Sequence, residues 1–269
     1  MIYVDRALSQ KLERTEARSN ADFVETRARL EPESGAAWKE VGGAYAMFDG
    51  VASPLTQTFG LGIFDDATDA HLDEIEAFYS DRGSDVFHEV SPLAEQSMLF
   101  LLAGRGYRPI ELTSVMFLDL SRYAAPPLNP AIATRMIDES EAGLWSETAA
   151  AGWQDEQPQL VDFLRGIGEV SARTRGGRPF IAELDGRPIA AAGLQVYDDV
   201  CILAGASTLP DSRRRGAQNA LLAARIRCAQ ELGCTLAMMC ALPGSQSQKN
   251  AQKNGFLIAY TRIKWMLGR

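Results

Sequence analysis

The chain has 269 residues, of which 46% are hydrophobic and 23% charged, with a formal net charge of −8. That length and apolar content fit a protein of two ordinary globular units and exclude a disordered chain. The acidic balance argues against non-specific nucleic-acid binding, and no run of about 18 apolar residues offers a membrane span.

Charge is uneven along the chain. Residues 1–125 carry 11 Lys and Arg against 21 Asp and Glu, a net −10, while residues 126–269 carry 16 against 14, a net +2. The cysteines, Cys201, Cys228, Cys234 and Cys240, form no CxxC pair, and His71 and His88 are the chain's histidines. Free thiols in a reducing compartment fit this pattern better than disulfides or a zinc site. The opening "MIYVDRALSQKLERTEARS" is charged from Asp5 onward, which is unlike a secretory leader; a soluble cytoplasmic protein without a metal is expected.

In chain order, a helix comes first, then "AWKEVGGAYAMF" and "LTQTFGLGIF" as strands, "DAHLDEIEAFY" as a helix and "DVFHEV" as a strand. "PLAEQSMLFLLAGRGYRPIELTSVMFLDL" adds a helix, a stop at Gly106-Tyr107 and a further strand. "RYAAPPLNPA" has three prolines and no apolar period, as a linker does. Domains are therefore expected at 1–124 and 131–269, joined by 125–130.

Beyond the linker, "IATRM" reads as a strand, and two helices follow with Leu144, Trp145, Leu160, Phe163, Leu164 and Ile167 on their buried faces. Asp185-Gly186 and Asp198-Asp199 mark two turns of a three-stranded meander. Gly205, inside the third strand, suggests a bulge or the close approach of a ligand. "STLPDSRRRGAQNALLAARI" then runs through a Pro turn and three arginines into a helix, which stops at Gly233. "CTLAMMCAL" is a buried strand. A short helix capped by Ser245, with Gln248 as capping-box partner, stops at Gly255, and "FLIAYTRIKWML" closes the chain as a strand. The first half repeats this order more weakly, as one unit present twice would.

The Arg-rich turn carries chemistry. The first turn of a helix leaves four N–H groups unpaired and bears partial positive charge, so a basic, glycine-containing mouth suits an anion, above all a phosphate. No GK[ST] follows the glycine, so the turn is not a P-loop.

Residues 131–269 resemble the GNAT superfamily of acyl-CoA N-acyltransferases, and the first half looks like a degenerate copy. The resemblance implies an α/β (α+β) fold class with two GNAT-like domains, each a mixed, mostly antiparallel sheet with flanking helices. The family's cofactor motif, [Q/R]-x-x-G-x-[G/A], lies over Arg213-Arg214-Arg215-Gly216-Ala217-Gln218, with Gln218 departing where Gly or Ala is usual. By this resemblance Thr208, Leu209, Arg214, Arg215, Gly216, Ala217, Gln218 and Asn219 form the acetyl-CoA site, their backbone amides holding the pyrophosphate. The pantetheine arm then runs between two splayed strands.

The implied activity is acetyl or short-acyl transfer to a small-molecule amine, with no nucleic-acid or membrane partner. In the family a Tyr four residues before the Gly-Phe protonates the leaving thiolate, and here that position is Ala251. Tyr260 is the candidate replacement acid, with Ser247 a weaker substitute; Glu183 and Asp199 are candidate bases. Cys240 reads as an inert core thiol, since no His lies in the second half to activate it. The alternative is a non-catalytic acyl-CoA-binding sensor or interaction protein, which the absent Tyr favours.

Overall fold

The computed structural model describes residues 2–268. In chain order the elements are α1 (Arg6–Leu30), β1 (Ala37–Val41), β2 (Ala44–Phe48), β3 (Gln57–Phe59), α2 (Asp69–Ser80), β4 (Val86–Val90), α3 (Ser97–Gly104), β5 (Arg108–Asp119), β6 (Ile132–Met136) and α4 (Ala142–Ala151). They continue with α5 (Val161–Ala172), β7 (Arg178–Leu184), β8 (Arg187–Tyr197), β9 (Val200–Thr208), α6 (Ala217–Glu231), β10 (Leu236–Ala241), α7 (Gln246–Lys253) and β11 (Leu257–Leu267). The chain divides into two compact units: Met1–Phe117 with Cys240–Arg269, and Leu118–Met239.

In the first unit the strands run β1-β2-β3-β4-β11-β5. All neighbours are antiparallel except β3 and β4, which are parallel and joined through α2. The stretch "AWKEVGGAYAMF", expected as one strand, is a hairpin. Gly42 and Gly43 both have positive φ, 55° and 75°, the requirement of a two-residue turn that matches strand twist. "LTQTFGLGIF" keeps only β3 as strand, because Gly60 and Gly62 also turn to positive φ. Leu72, Ile75, Phe78 and Tyr79 of α2 pack with Val86, Val90, Leu102 and Trp265 into this unit's core.

The units differ from the expected domains in the C-terminal segment, since Cys240–Arg269, with α7 and β11, falls in the first unit. β11 pairs on one side with β4, Trp265 opposite His88, and on the other with β5, Thr261 opposite Ser114. A strand hydrogen-bonded along both edges in the first unit belongs there, so the unit boundary falls near residue 117 rather than in the Pro-rich stretch. His88 is fully buried. Burial pushes its imidazole down to about 3, so it stays neutral, with Nε2 against the Tyr107 hydroxyl at 3.1 Å.

The second unit is the sheet β6-β7-β8-β9-β10, antiparallel up to β9, with β9 and β10 parallel and joined through α6. Both units thus repeat one order: antiparallel strands, then a parallel pair bridged by a helix. Asp185-Gly186 makes the β7–β8 turn with both residues at positive φ. Trp145 is buried, its indole N–H donating to the Phe180 carbonyl at 3.0 Å. Leu144, Leu160 and Phe163 are exposed, against expectation. The close contact between α4 and α5 runs through small residues: a Cβ on Gly168 would lie 2.8 Å from that of Ser146. This contact and the burial of Val170 and Ala172 turn the leucines and Phe163 outward.

Candidate functional site

Strands β9 and β10 stay in register for three pairs only, Val200–Leu236, Cys201–Ala237 and Ile202–Met238. Past them β9 continues to Thr208 with β8 on one side, and Ala204, Gly205 and Ala206 become exposed in mid-strand. A bulge causes the change. Ala191 faces Ser207 but Gly193 faces Ala204, so β9 holds more residues than β8 across that interval, and Gly205 takes φ 62°. The bulge is pinned from two sides. The Trp145 ring lies where a Gly205 side chain would meet it, and Arg225 of α6 donates from Nη1 to the Gly193 carbonyl at 3.0 Å. Arg225 is buried, and burial lowers its pKa to about 10.

Beyond Thr208 the chain turns through Pro210–Ser212 and enters α6 at Gly216. Gly216 has φ 95° and Arg214 φ 63°, a left-handed path that brings backbone, not side chains, to the helix mouth. No side chain caps this end. Among the described residues the amides of Gly216, Ala217, Gln218 and Asn219 donate to no backbone carbonyl. Arg214 and Arg215 are exposed and make no ion pair among the described residues. Asn129 fastens the turn from outside, donating to the Arg215 carbonyl at 3.1 Å. Four free amides at a positive helix end beside two unpaired guanidinium groups are a donor set for a phosphate or pyrophosphate.

Leu209 anchors the turn through its N–H to the Ile189 carbonyl at 2.9 Å. Arg213, first residue of the motif, faces inward: Nη2 donates to the Gly152 carbonyl at 2.8 Å and Nη1 pairs with Glu156 at 2.9 Å. The side chain of Gln218 folds back onto β9, its Nε2 donating to the Ser207 carbonyl at 2.9 Å and to Thr208 Oγ1 at 2.7 Å. All eight residues expected at the turn, from Thr208 to Asn219, are thus brought together in the second unit.

The expected acid and bases lie elsewhere. Tyr260 is in the first unit, buried, with its hydroxyl donating to Glu13 Oε1 at 2.8 Å. Burial and the neighbouring Glu13 carboxylate raise its pKa well above the ordinary phenol value, which weakens it as a proton donor. Glu183 is bound to Arg135, which also holds Glu141, and Asp199 accepts from the Thr235 hydroxyl at 2.7 Å. Cys240 is pushed up by burial and by Glu16, an unreactive thiol. Ala251 is buried in α7, leaving no hydroxyl there.

Sequence reasoning missed one feature, the charge cluster around Arg262 in the first unit. Its Nε donates to Glu89 at 2.9 Å and its Nη1 to Glu16 at 2.7 Å, with Glu13 at 3.3 Å and the Phe59 ring 5.0 Å away. Lys264 bridges Glu89 and Glu111. Glu13 and Arg262 are 249 positions apart, and neither sits in any local motif that could have paired them.

An antiparallel meander leading into a parallel strand pair, bridged by a helix with a glycine-lined open mouth, is a GNAT-like fold. Residues 138–256 match the acetyltransferase (GNAT) family. A GCN5-related N-acetyltransferase from Kribbella flavida superposes with a TM-score of 0.64 at 18% identity, covering 90% of this chain and 93% of that one. A tandem GNAT protein from the clavulanic acid biosynthesis pathway gives 0.62 at 12% identity, covering 97% and 94%. A functionally unknown conserved protein from Staphylococcus epidermidis gives 0.59 at 7% identity, covering 87% and 94%. No curated protein matches the chain. Among the described residues, no group of three or more His, Cys, Asp and Glu is placed to hold a metal ion, and no helix is long and apolar enough to cross a membrane.

Proposed function

We propose that the protein is a tandem GNAT N-acyltransferase whose second unit binds acetyl-CoA or a short acyl-CoA and transfers the acyl group to a small-molecule amine. The carrying observation is the uncapped mouth of α6, with Gly216 at φ 95°, at the end of a strand whose edge opens at residues 204–206. On this reading the α6 amides and helix dipole hold the pyrophosphate, and the pantetheine arm hydrogen-bonds along the exposed β9 backbone. The amine attacks the thioester carbonyl, the C–N bond forms, the C–S bond breaks, and coenzyme A leaves as thiolate. A thiol with an ordinary pKa near 8.5 departs tolerably without a general acid near neutral pH, so the reading does not require a hydroxyl at position 251. Free cysteines fit a cytoplasmic setting.

Since Tyr260 is engaged by Glu13, Tyr260→Phe is expected to leave turnover within about twofold of the parent, far less than the 10²–10⁴-fold of a lost general acid. A tenfold fall in turnover at unchanged acetyl-CoA affinity would return Tyr260 to the mechanism.

The first unit supports a single site per chain. The α2 mouth is capped by the Thr68 side chain, which accepts from the His71 N–H at 3.2 Å, and carries Asp69 in its first turn. The edge after β3 is covered as well: Arg6 and Gln10 of α1 both donate to the Ile63 carbonyl, at 3.1 and 2.8 Å. A capped, acidic helix end repels phosphate. Calorimetry is expected to give one acetyl-CoA per chain, and two equivalent sites would contradict the assignment. The missing Tyr favours a second reading, a non-catalytic acyl-CoA-binding protein. Titration with acetyl-CoA followed by thiol release with a panel of amines separates the two: binding with turnover supports the transferase, binding without turnover the sensor, and no binding removes both.

A further inference from the structure

We propose that Gln218 is a positioning residue that fixes the separation between the phosphate-holding mouth of α6 and the open edge of β9; this rests on the acyl-CoA reading above. The family motif places Gly or Ala at this position, residues that reach nothing. Here the amide reaches back across the cradle and holds two successive residues at the end of β9, the Ser207 carbonyl at 2.9 Å and Thr208 Oγ1 at 2.7 Å.

Both of those residues have a second hold, Ser207 from α4 and Thr208 from the turn before α6. Ser207 Oγ donates to the Ala149 carbonyl of α4 at 2.8 Å, and Ser207 packs so closely on Gly152 that a Cβ there would lie 2.6 Å from it. The Thr208 carbonyl accepts from Arg213 Nε at 3.4 Å. The end of β9 is therefore laced between α4 and the first turn of α6, and Gln218 is the side-chain tie on the α6 side.

The amide does not act as a phosphate ligand. A Gln NH₂ group has two protons, both of which are used on Ser207 and Thr208, and the remaining oxygen is an acceptor that repels an anion. What the tie can do is geometric. A ligand held at one end by the α6 amides and along its length by the 204–206 edge binds well only when those two surfaces keep a fixed offset. Two hydrogen bonds set that offset before the ligand arrives, and preorganisation of this kind lowers the ordering cost of binding.

The test uses Gln218→Met, which keeps the side-chain bulk and removes both donors, with Gln218→Ala, the family's residue, as the second variant. Calorimetry compares two probes: acetyl-CoA, which spans both surfaces, and adenosine 3′-phosphate 5′-diphosphate, which carries the pyrophosphate without the arm. Circular-dichroism melting establishes that the proteins are folded at the assay temperature. Loss of one net hydrogen bond corresponds to about fivefold in an equilibrium constant. The arm's gain in affinity, acetyl-CoA over the fragment, is accordingly expected to fall at least fivefold in either variant, while fragment affinity stays within about threefold of the parent. Equal weakening of both probes would assign Gln218 to fold stability alone, and unchanged affinities for both would remove it altogether; either result overturns the proposal. A parent that binds neither probe overturns the acyl-CoA reading and this inference together, an outcome recognisable before any variant is made.

Discussion

Arg262→Met is expected to destabilise the protein by about 3–5 kcal/mol, the cost of removing one partner from a buried ion-paired group. The carboxylates of Glu13, Glu16 and Glu89 each lie within 3.4 Å of a guanidinium nitrogen of Arg262, and the side chains of Arg262, Glu13, Glu16 and Glu89 are 2%, 0%, 12% and 3% exposed. Arg262 and Lys264 supply two positive charges to these three carboxylates and the half-exposed Glu111. Without the guanidinium the carboxylates face one another in a site that water does not reach, and each must take a proton or repel its neighbours. The urea midpoint at pH 7 measures the loss; a midpoint within error of the parent would show that the cluster contributes nothing.

The same cluster sets a pH window. Burial, opposed by Arg262, raises Glu13 from an ordinary 4.5 to about 7. Arg262, Glu16, Glu89 and Tyr260 are the groups that face it, and the last donates its hydroxyl to Glu13. A carboxyl whose folded value is raised binds a proton on folding. Its contribution is fully present below pH 4.5 and is lost as pH rises to about 7. In Glu13→Gln, which keeps an oxygen for the Tyr260 hydroxyl, that part of the pH dependence is expected to flatten.

What could be read from the sequence was local. Asp185-Gly186 named a two-residue turn because only residues that tolerate positive φ fit one. Ser245 named a helix start, and it does accept from the Gln248 N–H at 3.2 Å; the Gln248 side chain reaches the Gly244 N–H rather than that of Ser245. The glycine-containing turn into α6 was legible for the same reason, since strand end, glycine and helix start lie within a few residues of one another.

Pairing at a distance was not legible. Nothing in "FLIAYTRIKWML" distinguishes β4 and β5 as its neighbours from β10, because alternation specifies a face and not a partner. In the fold β11 meets those neighbours through its ladders to β4 and β5, the packing of Trp265 and the pairing of Arg262 with Glu13, Glu16 and Glu89. Gln218 failed in the other direction. In the motif it stood only as a departure from Gly or Ala, because a sequence gives the volume of a side chain and not where it folds. Placed on Ser207 and Thr208, the same volume becomes a tie.

Gly216→Asp is expected to abolish measurable acetyl-CoA binding, a loss of at least 100-fold or about 2.7 kcal/mol, while leaving the fold intact. Two effects act on the site and two on the helix. At φ 95° a side chain is strained, at roughly 1–2 kcal/mol for an L residue, with Asp among those that bear it best. Its carboxylate then stands beside the Gln218 and Asn219 amides, where an N-cap Asp accepts hydrogen bonds. The helix gains a cap worth about 1 kcal/mol, which offsets the strain, so the melting temperature is expected to stay within a few degrees. The site loses what the cap takes, because amides satisfied by an internal carboxylate no longer attract an external phosphate, and its charge repels one at the helix end. Gly216→Asn separates these effects: it carries the same strain and much the same bulk without the charge, and is expected to lose about tenfold, one hydrogen-bonding contact's worth of affinity and a little more. Should Gly216→Asp bind acetyl-CoA as the parent does, the mouth of α6 is not the phosphate site. Should Asp and Asn weaken binding equally, backbone geometry rather than charge governs it, and the exposed Arg214 and Arg215 have little part in holding the anion.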